Sequence, residues 1–277
     1  MNDVLIADQR ITIAISTYND RIQKAIKLAL SIQDIARIMI IHQVSYDFDT
    51  PPIPKGIDYF KLEGVGVAIS RNFALDNAKS NYLWFLDDDV TVDAEKARNF
   101  IFHLLQNPEK FDVVTFGVLD ESGSPRKNYP NKTKGHNLIS ILSVGTIEII
   151  ANRDRVIRSG CYFPMDMGAG SDLPLADEPV FLAKCIKSGL KVVFQPYYFV
   201  SHPYESSGGS FSSIRASRSR GVAFRRIYGP IAGLILLTAM LLKNLIKGNL
   251  EARLFVTTYY SAVCGLIKDR KIITSND

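Results

Sequence analysis

Three consecutive carboxylates, Asp87-Asp88-Asp89, follow the apolar run Trp84-Phe85-Leu86. Adjacent carboxylates repel, so a fold keeps them together when a cation or strong hydrogen-bond donors neutralise them. Mg²⁺ and Mn²⁺ favour such oxygen ligands and take one or two carboxylates together with substrate phosphates. A second acidic pair, Asp177-Glu178, offers a proton acceptor. His202 comes late in the chain and Arg215, Arg218, Arg220, Arg225 and Arg226 cluster beyond it. Each has an ordinary role when taken alone: a strand end in solvent, a helix N-terminus that suits the dipole, a structural histidine, a solvated basic face. Thr17-Tyr18-Asn19 alone reads as a helix cap. It is the set, in one order along one chain, that points to chemistry at a phosphate.

The elements that must position these groups follow from periodicity. Ile11-Thr12-Ile13-Ala14-Ile15 reads as a first buried strand, Ser16 to Asp20 as a capping turn, and Ile22, Ile26, Ala29 and Leu30 as one face of a helix. Ile38 to Ile41 and Ile57 to Phe60 read as further strands, separated by the breaker Pro51-Pro52-Ile53-Pro54. Gly64 to Ser80 is a loop and helix with Ile69 and Phe73 on one face, which turns Arg71 toward solvent or a ligand. Asn81 to Leu86 is the fourth strand. Strands alternating with helices indicate an α/β fold with a mostly parallel sheet covered on both faces. Ligands of such sheets bind beyond the carboxyl ends of the strands, where the turn at 16–20 and the acids at 87–89 both fall. Farther along, 111–116, 147–150 and 191–200 read as strands, 120–137 and 168–174 as loops, and Asp177-Glu178-Pro179 as the start of a helix that stops at Gly189.

The composition is that of a globular protein with material for a core, and three scattered cysteines without a Cys-x-x-Cys pattern suit a reducing compartment rather than a disulfide frame or a zinc site. Met1 to Arg10 is polar, so no secretory leader is expected. Residues 1–204 carry 22 Lys and Arg against 24 Asp and Glu, whereas residues 205–277 carry 11 against 4, which points to an anionic partner at that end. Tyr204 to Arg220, rich in Ser, Gly and Arg, reads as a mobile lid or linker. Beyond it, basic residues bracket two apolar stretches shorter than the about 20 residues a spanning helix needs, which fits an interfacial anchor or a packed hairpin. The expected division is a first domain over 1–204, a flexible basic loop over 205–228 and an apolar, membrane-associating helical region over 229–277. Nucleic acid is not an expected partner, because the basic segment lacks interleaved aromatics.

The order of motifs resembles the bacterial family 2 glycosyltransferases of the GT-A (Rossmann-like) fold. The resemblance rests on Ile13 to Asn19 at the first strand, Gly64-Val65-Gly66-Val67-Ala68-Ile69-Ser70-Arg71-Asn72, and Phe85-Leu86-Asp87-Asp88-Asp89. Gly168-Ala169-Gly170 followed by Asp177-Glu178, and Val200-Ser201-His202, match more weakly. Together they cover roughly residues 10–204. The resemblance implies an inverting transferase that takes a nucleotide-diphosphate sugar and uses Mn²⁺ or Mg²⁺. It places Thr17, Tyr18, Asn19, Arg71, Asp87 and Asp88 at the nucleotide sugar, Asp89 and His202 at the metal, and Glu178, beside Asp177, as the base. Arg215, Arg218 and Arg220 become contacts to diphosphate or acceptor. The C-terminal third resembles that of enzymes acting on glycan or lipid-linked acceptors of surface polysaccharides, which implies a cytoplasmic protein at the inner face of the plasma membrane. Two departures stand out. Where the family often carries an acidic pair at the nucleotide base, this chain has His42-Gln43-Val44, so a UDP-sugar is the default donor; and the later acidic pair runs Asp-Glu.

Two other readings compete. Asp87-Asp88-Asp89-Val90-Thr91 also fits an aspartyl phosphatase, with Asp87 attacking phosphorus and Asp89 moving the proton. A non-catalytic scaffold that uses its basic tail on membranes is the third.

Overall fold

The computed structural model describes residues 7–46, 49–203 and 213–269. Ile11, Ile13 and Ile15 alternate with Thr12 and Ala14, and all five are buried. The first strand is therefore covered on both faces, as a central parallel strand must be. It is longer than its apolar run: β1 spans Asp8–Tyr18 and is followed by α1, Ile22–Ile32, then β2, Ala36–Val44, and β3, Ile57–Glu63. Helix α2, Val67–Asn77, leads to β4, Tyr82–Asp87, the short β5, Thr91–Val92, and α3, Ala94–Leu105. Strands β6, Val113–Leu119, β7, Lys134–Gly135, and β8, Ile149–Asn152, precede the short α4, Arg153–Arg158. Helix α5, Asp177–Lys187, and β9, Val192–Ser201, complete the sheet, and α6, Ile214–Tyr228, α7, Pro230–Ile246, and α8, Ala252–Lys268, follow.

The sheet runs β3-β2-β1-β4-β8-β6-β9-β5, with β7 beside β9. Its first four strands are parallel, as the alternation of strands and helices predicts. Strand β8 then runs antiparallel between β4 and β6. One core lies between the sheet and α1 and α3, joining Ile13, Ile15, Trp84 and Phe116 to Ile22, Ala29, Phe100 and Leu104. The other lies between the sheet and α2, α4 and α5, joining Ala14, Met39 and Phe85 to Ala68, Leu75, Val156 and Phe181. Several sequence expectations are corrected. The strand expected over 147–150 begins only at Ile149, because Thr146–Glu148 forms a single 3-10 turn. The turn after β1 supplies no side-chain cap to α1; Asn19 instead adopts a left-handed φ of 47° and the chain makes a 3-10 turn at Asn19–Arg21.

The larger correction concerns the basic loop expected over 205–228. Residues 204–212 lie outside the described residues, but Ile214 to Tyr228 is helical, started by Ser213, whose side chain accepts from the Ala216 amide. Ala216, Val222, Ala223, Phe224 and Ile227 are buried, and so are Ser217, Ser219, Arg220, Gly221 and Arg226, so the helix is covered on more than one side in spite of its arginines. Helix α6 packs between α5 and a hairpin of α7 and α8, around Phe224, Leu237, Leu241, Ala262 and Leu266. Arg226 fastens it at both ends of the layer, bidentate to Asp166 at 2.7 and 2.6 Å and bonded to Asp269 at 3.1 Å. Among the described residues no helix is long and apolar enough to cross a membrane.

The contact of α6 with α8 is close enough that a Cβ at Gly221 would overlap the carbonyl oxygen of Ala262. In an isolated helix Gly→Ala stabilises by about 1 kcal/mol. Here G221A should instead destabilise by roughly 1–3 kcal/mol, because a backbone carbonyl cannot rotate out of the way. Urea denaturation checks this; an unchanged or raised midpoint would show that α8 does not rest on α6 at this point.

Candidate active site

The strand order changes direction at β1, which has β2 on one side and β4 on the other. In parallel sheets this switch point opens a crevice at the carboxyl ends of the strands. Ser16 and Asp87 are register partners there, so Thr17, still paired with His42 of β2, stands beside Asp88, the first residue past the end of β4. Thr17 donates its hydroxyl to Asp88 Oδ2 at 2.5 Å. Arg21 donates one nitrogen to both Asp88 Oδ1 and Asp89 Oδ2, the latter at 2.8 Å. Arg21 escaped the sequence reading because it stands outside every motif; its place one turn after the first strand is the signal that could have found it. Tyr18 and Asn19 knit the ends of β1 and β2, both bonding to Ser45. The buried His42 ring spans from the Asn19 carbonyl at 2.7 Å to the Tyr59 hydroxyl at 2.9 Å, and burial lowers its pKa. Gln43 lies in register with Tyr18, and its buried Nε2 has no hydrogen-bond partner.

The second acidic pair arrives from the far side of the crevice. Gly168 and Gly170, at φ 94° and 85°, let their loop press on the start of α2, where Val67 donates to the Ala169 carbonyl at 3.0 Å. A Cβ at Gly168 would collide with Val67 and Asp177, and one at Gly170 with Val65 and Gly66. This approach sets the first turn of α5 against Arg71, which is 4% exposed. Arg71 is thus aimed away from Ile69, as its spacing predicts, but into protein carboxylates and not into solvent. Its Nη1 donates to Asp177 Oδ2 and lies 3.3 Å from Glu178 Oε1, while Nη2 stands 4.0 Å from Asp87 Oδ1. The Phe163 ring lies 5.5 Å from the guanidinium carbon. One cation therefore joins the acids at the end of β4 to those at the start of α5.

Three carboxylates around one guanidinium cannot all ionise at low cost. Burial pushes Asp177 up to about 7, and the Glu178 charge adds to this against the pull of Arg71. Burial acts on Glu178 too, but Arg71 and the Thr146 hydroxyl outweigh it and its pKa falls below the ordinary value. Of the pair, Asp177 is the member that burial holds to its proton to higher pH, and Glu178 is the one whose charged form Arg71 and Thr146 favour.

Pairing of β5 with β9, Thr91 opposite Ser201, brings His202 back to the acidic stretch. His202 Nε2 lies 3.3 Å from Asp89 Oδ1. Its Nδ1 faces the Pro203 carbonyl at 2.7 Å and Arg126 at 3.0 Å. The hydrogen bond to Asp89 raises the pKa of His202 and holds Asp89 below the usual carboxylate range. Among the described residues no group of three His, Cys, Asp or Glu side chains stands close enough to enclose a metal ion. Asp89 Oδ1 is nevertheless buried and faces the His202 imidazole nitrogen at 3.3 Å, which puts a carboxylate oxygen and an imidazole side by side. That fits a hard cation which takes most of its oxygens from a diphosphate. Of the late arginines, Arg215 is exposed and faces the Ser171 carbonyl and Asp172, and Arg218 borders an apolar groove with Ile214, Tyr260 and Cys264. Arg220 is buried, which lowers its pKa to about 10.

The sequence profile of glycosyl transferase family 2 matches residues 12–168. No curated protein matches the chain. Among solved structures, residues 1–349 of TarS from S. aureus superpose with a TM-score of 0.60 at 14% identity, covering 92% of this chain and 81% of that one. The same TarS fragment in complex with UDP-GlcNAc gives 0.58 at 14% identity, covering 92% and 82%. The mannosyltransferase PcManGT from Pyrobaculum calidifontis, in complex with GDP-Man and Mn²⁺, gives 0.55 at 16% identity, covering 97% and 91%. At these identities the likeness is one of fold, α/β with a central sheet flanked by helices.

The raised pKa of Asp177 has a consequence for stability. Its folded value lies above the ordinary aspartate value of 3.8. The stabilisation it lends is therefore complete below about pH 4 and lost as pH rises through about 7. Urea midpoints of wild type and D177N, compared at pH 5 and pH 8, should show the advantage of wild type shrinking as pH rises. A gap independent of pH would contradict the assignment of the proton to Asp177.

Proposed function

The chain belongs to glycosyl transferase family 2, and from that membership we propose that it moves a sugar, with inversion, from a nucleotide-diphosphate sugar to a hydroxyl of a glycan or lipid-linked acceptor in bacterial surface polysaccharide synthesis. The observation that carries this reading is Arg71, whose one guanidinium reaches both Asp87 and Glu178. A donor held at the acids of β4 and an acceptor activated at α5 can then share one small sugar. Thr17, Tyr18, Asn19, Arg71, Asp87 and Asp88 take the nucleotide sugar. The fold neighbours are solved with UDP-GlcNAc and with GDP-Man, and a UDP-sugar is the donor we propose first.

Glu178, ionised beside a protonated Asp177, accepts the proton of the acceptor hydroxyl as that oxygen attacks the anomeric carbon. The bond from that carbon to the diphosphate oxygen breaks on the opposite face, so configuration inverts and the nucleoside diphosphate leaves. Asp89 and His202 would hold Mn²⁺ or Mg²⁺, which when bound supplies positive charge against the departing diphosphate. Arg21, which neutralises Asp88 and Asp89 in this structure, and the exposed Arg215 are the cations proposed for the diphosphate or the acceptor; Arg220 is buried in the α6 layer and Arg218 borders the groove against α8. This reading displaces the aspartyl phosphatase, because the family whose profile the chain matches is one of glycosyl transferases.

The C-terminal layer supports a place at the cytoplasmic face of the plasma membrane. Helix α7 exposes Ile231, Ile235, Leu242 and Ile246, and α8 exposes Val256, Tyr260 and Ile267. The exposed charges of these two helices and their connection, Lys243, Lys247, Arg253 and Lys268, are basic but for Glu251. Apolar faces with basic flanks suit the interface of an anionic bilayer.

E178Q should bind the donor normally and lose turnover by roughly 10²–10⁴-fold. Near-normal transfer of sugar by that variant would remove Glu178 as the base. Flotation with vesicles of phosphatidylglycerol and phosphatidylcholine should carry wild type at low salt, and I235D/I246D should stay behind. Wild type left in the soluble fraction would refute the membrane placement.

A further inference from the structure

Beside Glu178 lies a turn with no part in the chemistry just described, yet it is clamped from three sides. Thr146–Glu148 makes one turn of 3-10 helix ahead of β8. Trp84, fully buried, donates its indole N–H to the Ile147 carbonyl at 3.1 Å. Glu148 folds back to accept from the Gly145 amide at 3.1 Å, which closes the turn on itself. Lys127 pairs with the same Glu148 oxygen and donates also to the Ser143 carbonyl. Glu148 is 4% exposed. A buried ion pair is weak evidence for stability, since apolar residues of similar volume often serve as well or better; what this one secures is the position of the turn. The side chain so placed is Thr146, itself 4% exposed, and its hydroxyl donates to Glu178 Oε1.

An ionised carboxylate can only accept hydrogen bonds, so the Thr146 hydroxyl must turn its proton toward Glu178. Arg71 Nη1 approaches the same oxygen at 3.3 Å. We infer that Thr146 is a positioning residue for Glu178: its hydroxyl, held by the clamped turn, fixes Oε1 and with it the orientation of the carboxylate. The inference rests on the reading of Glu178 as the base. A donor to the charged form also favours ionisation. The charged and titratable groups that act on Glu178 are Arg71 from α2, Asp177 from α5, Asp87 from β4 and Glu148 from the turn itself, the last paired with Lys127 of the loop before β7. Replacing Thr146 by valine, nearly equal in shape, leaves every one of these in place and removes the hydroxyl alone.

The test is a carbon-13 titration of the full chain labelled at glutamate side-chain carboxyls, with the Glu178 signal identified by its absence in E178Q. T146V should raise the midpoint of Glu178 by about half a unit to one unit, and T146S, which restores the hydroxyl, should return it to the wild-type value. T146A repeats the measurement should valine disturb the fold. A Glu178 midpoint unchanged in T146V or T146A, or not recovered in T146S, would overturn the inference. The titration needs no substrate, so it stands apart from the base assignment, which falls if E178Q transfers sugar at the wild-type rate.

Discussion

A single buried guanidinium organises this molecule's chemistry. Arg71 is almost wholly removed from water and is surrounded by Asp87, Asp177 and Glu178. Burying that charge alone would be costly, and breaking such a pair strands the partners. The carboxylates are therefore as necessary to Arg71 as Arg71 is to them. Because they outnumber it, they do not behave alike: burial raises the pKa of Asp177, while Arg71 and the Thr146 hydroxyl lower that of Glu178.

The rest of the fold can be understood as the means of assembling that cluster. The parallel half of the sheet delivers Thr17 and the aspartates to one rim through the register of β1 and β4. The turn through Gly168 and Gly170, which no side chain could replace without collision, brings α5 to α2. The return of β9 beside β5 sets His202 against Asp89. Helix α6, bound to α5 on one side and to α7 and α8 on the other, closes the layer behind the site and leaves apolar faces on its outer helices.

Much of this was legible in the sequence where the signal is local. The period-two pattern of β1 and the apolar run before Asp87 marked buried strands, and their order placed Thr17 and the aspartates on a common rim. The helical spacing of Arg71 and Ile69 gave its direction, though not what it would meet, since Asp177 and Glu178 lie more than a hundred residues away. Thr146 was invisible for the same reason, since it acts through a contact made by the tertiary fold and stands in no pattern; Arg21 also acts through such a contact, and only its place just after the first strand hinted at it. The helix over Ile214–Tyr228 was missed because serine and arginine dominate its composition, and its small buried residues carry little hydrophobic weight until α8 is packed against them.

The central claim is that the acids beyond β4 grip a nucleoside diphosphate through a divalent cation. Calorimetric titration of the full chain with UDP and with GDP, in the presence and absence of Mn²⁺, tests it most directly. The account predicts tight binding of one of the two diphosphates with Mn²⁺, weak binding without it, and loss of the metal dependence in D89N. Failure of both to bind in the presence of Mn²⁺, or a metal dependence that D89N leaves intact, would contradict it.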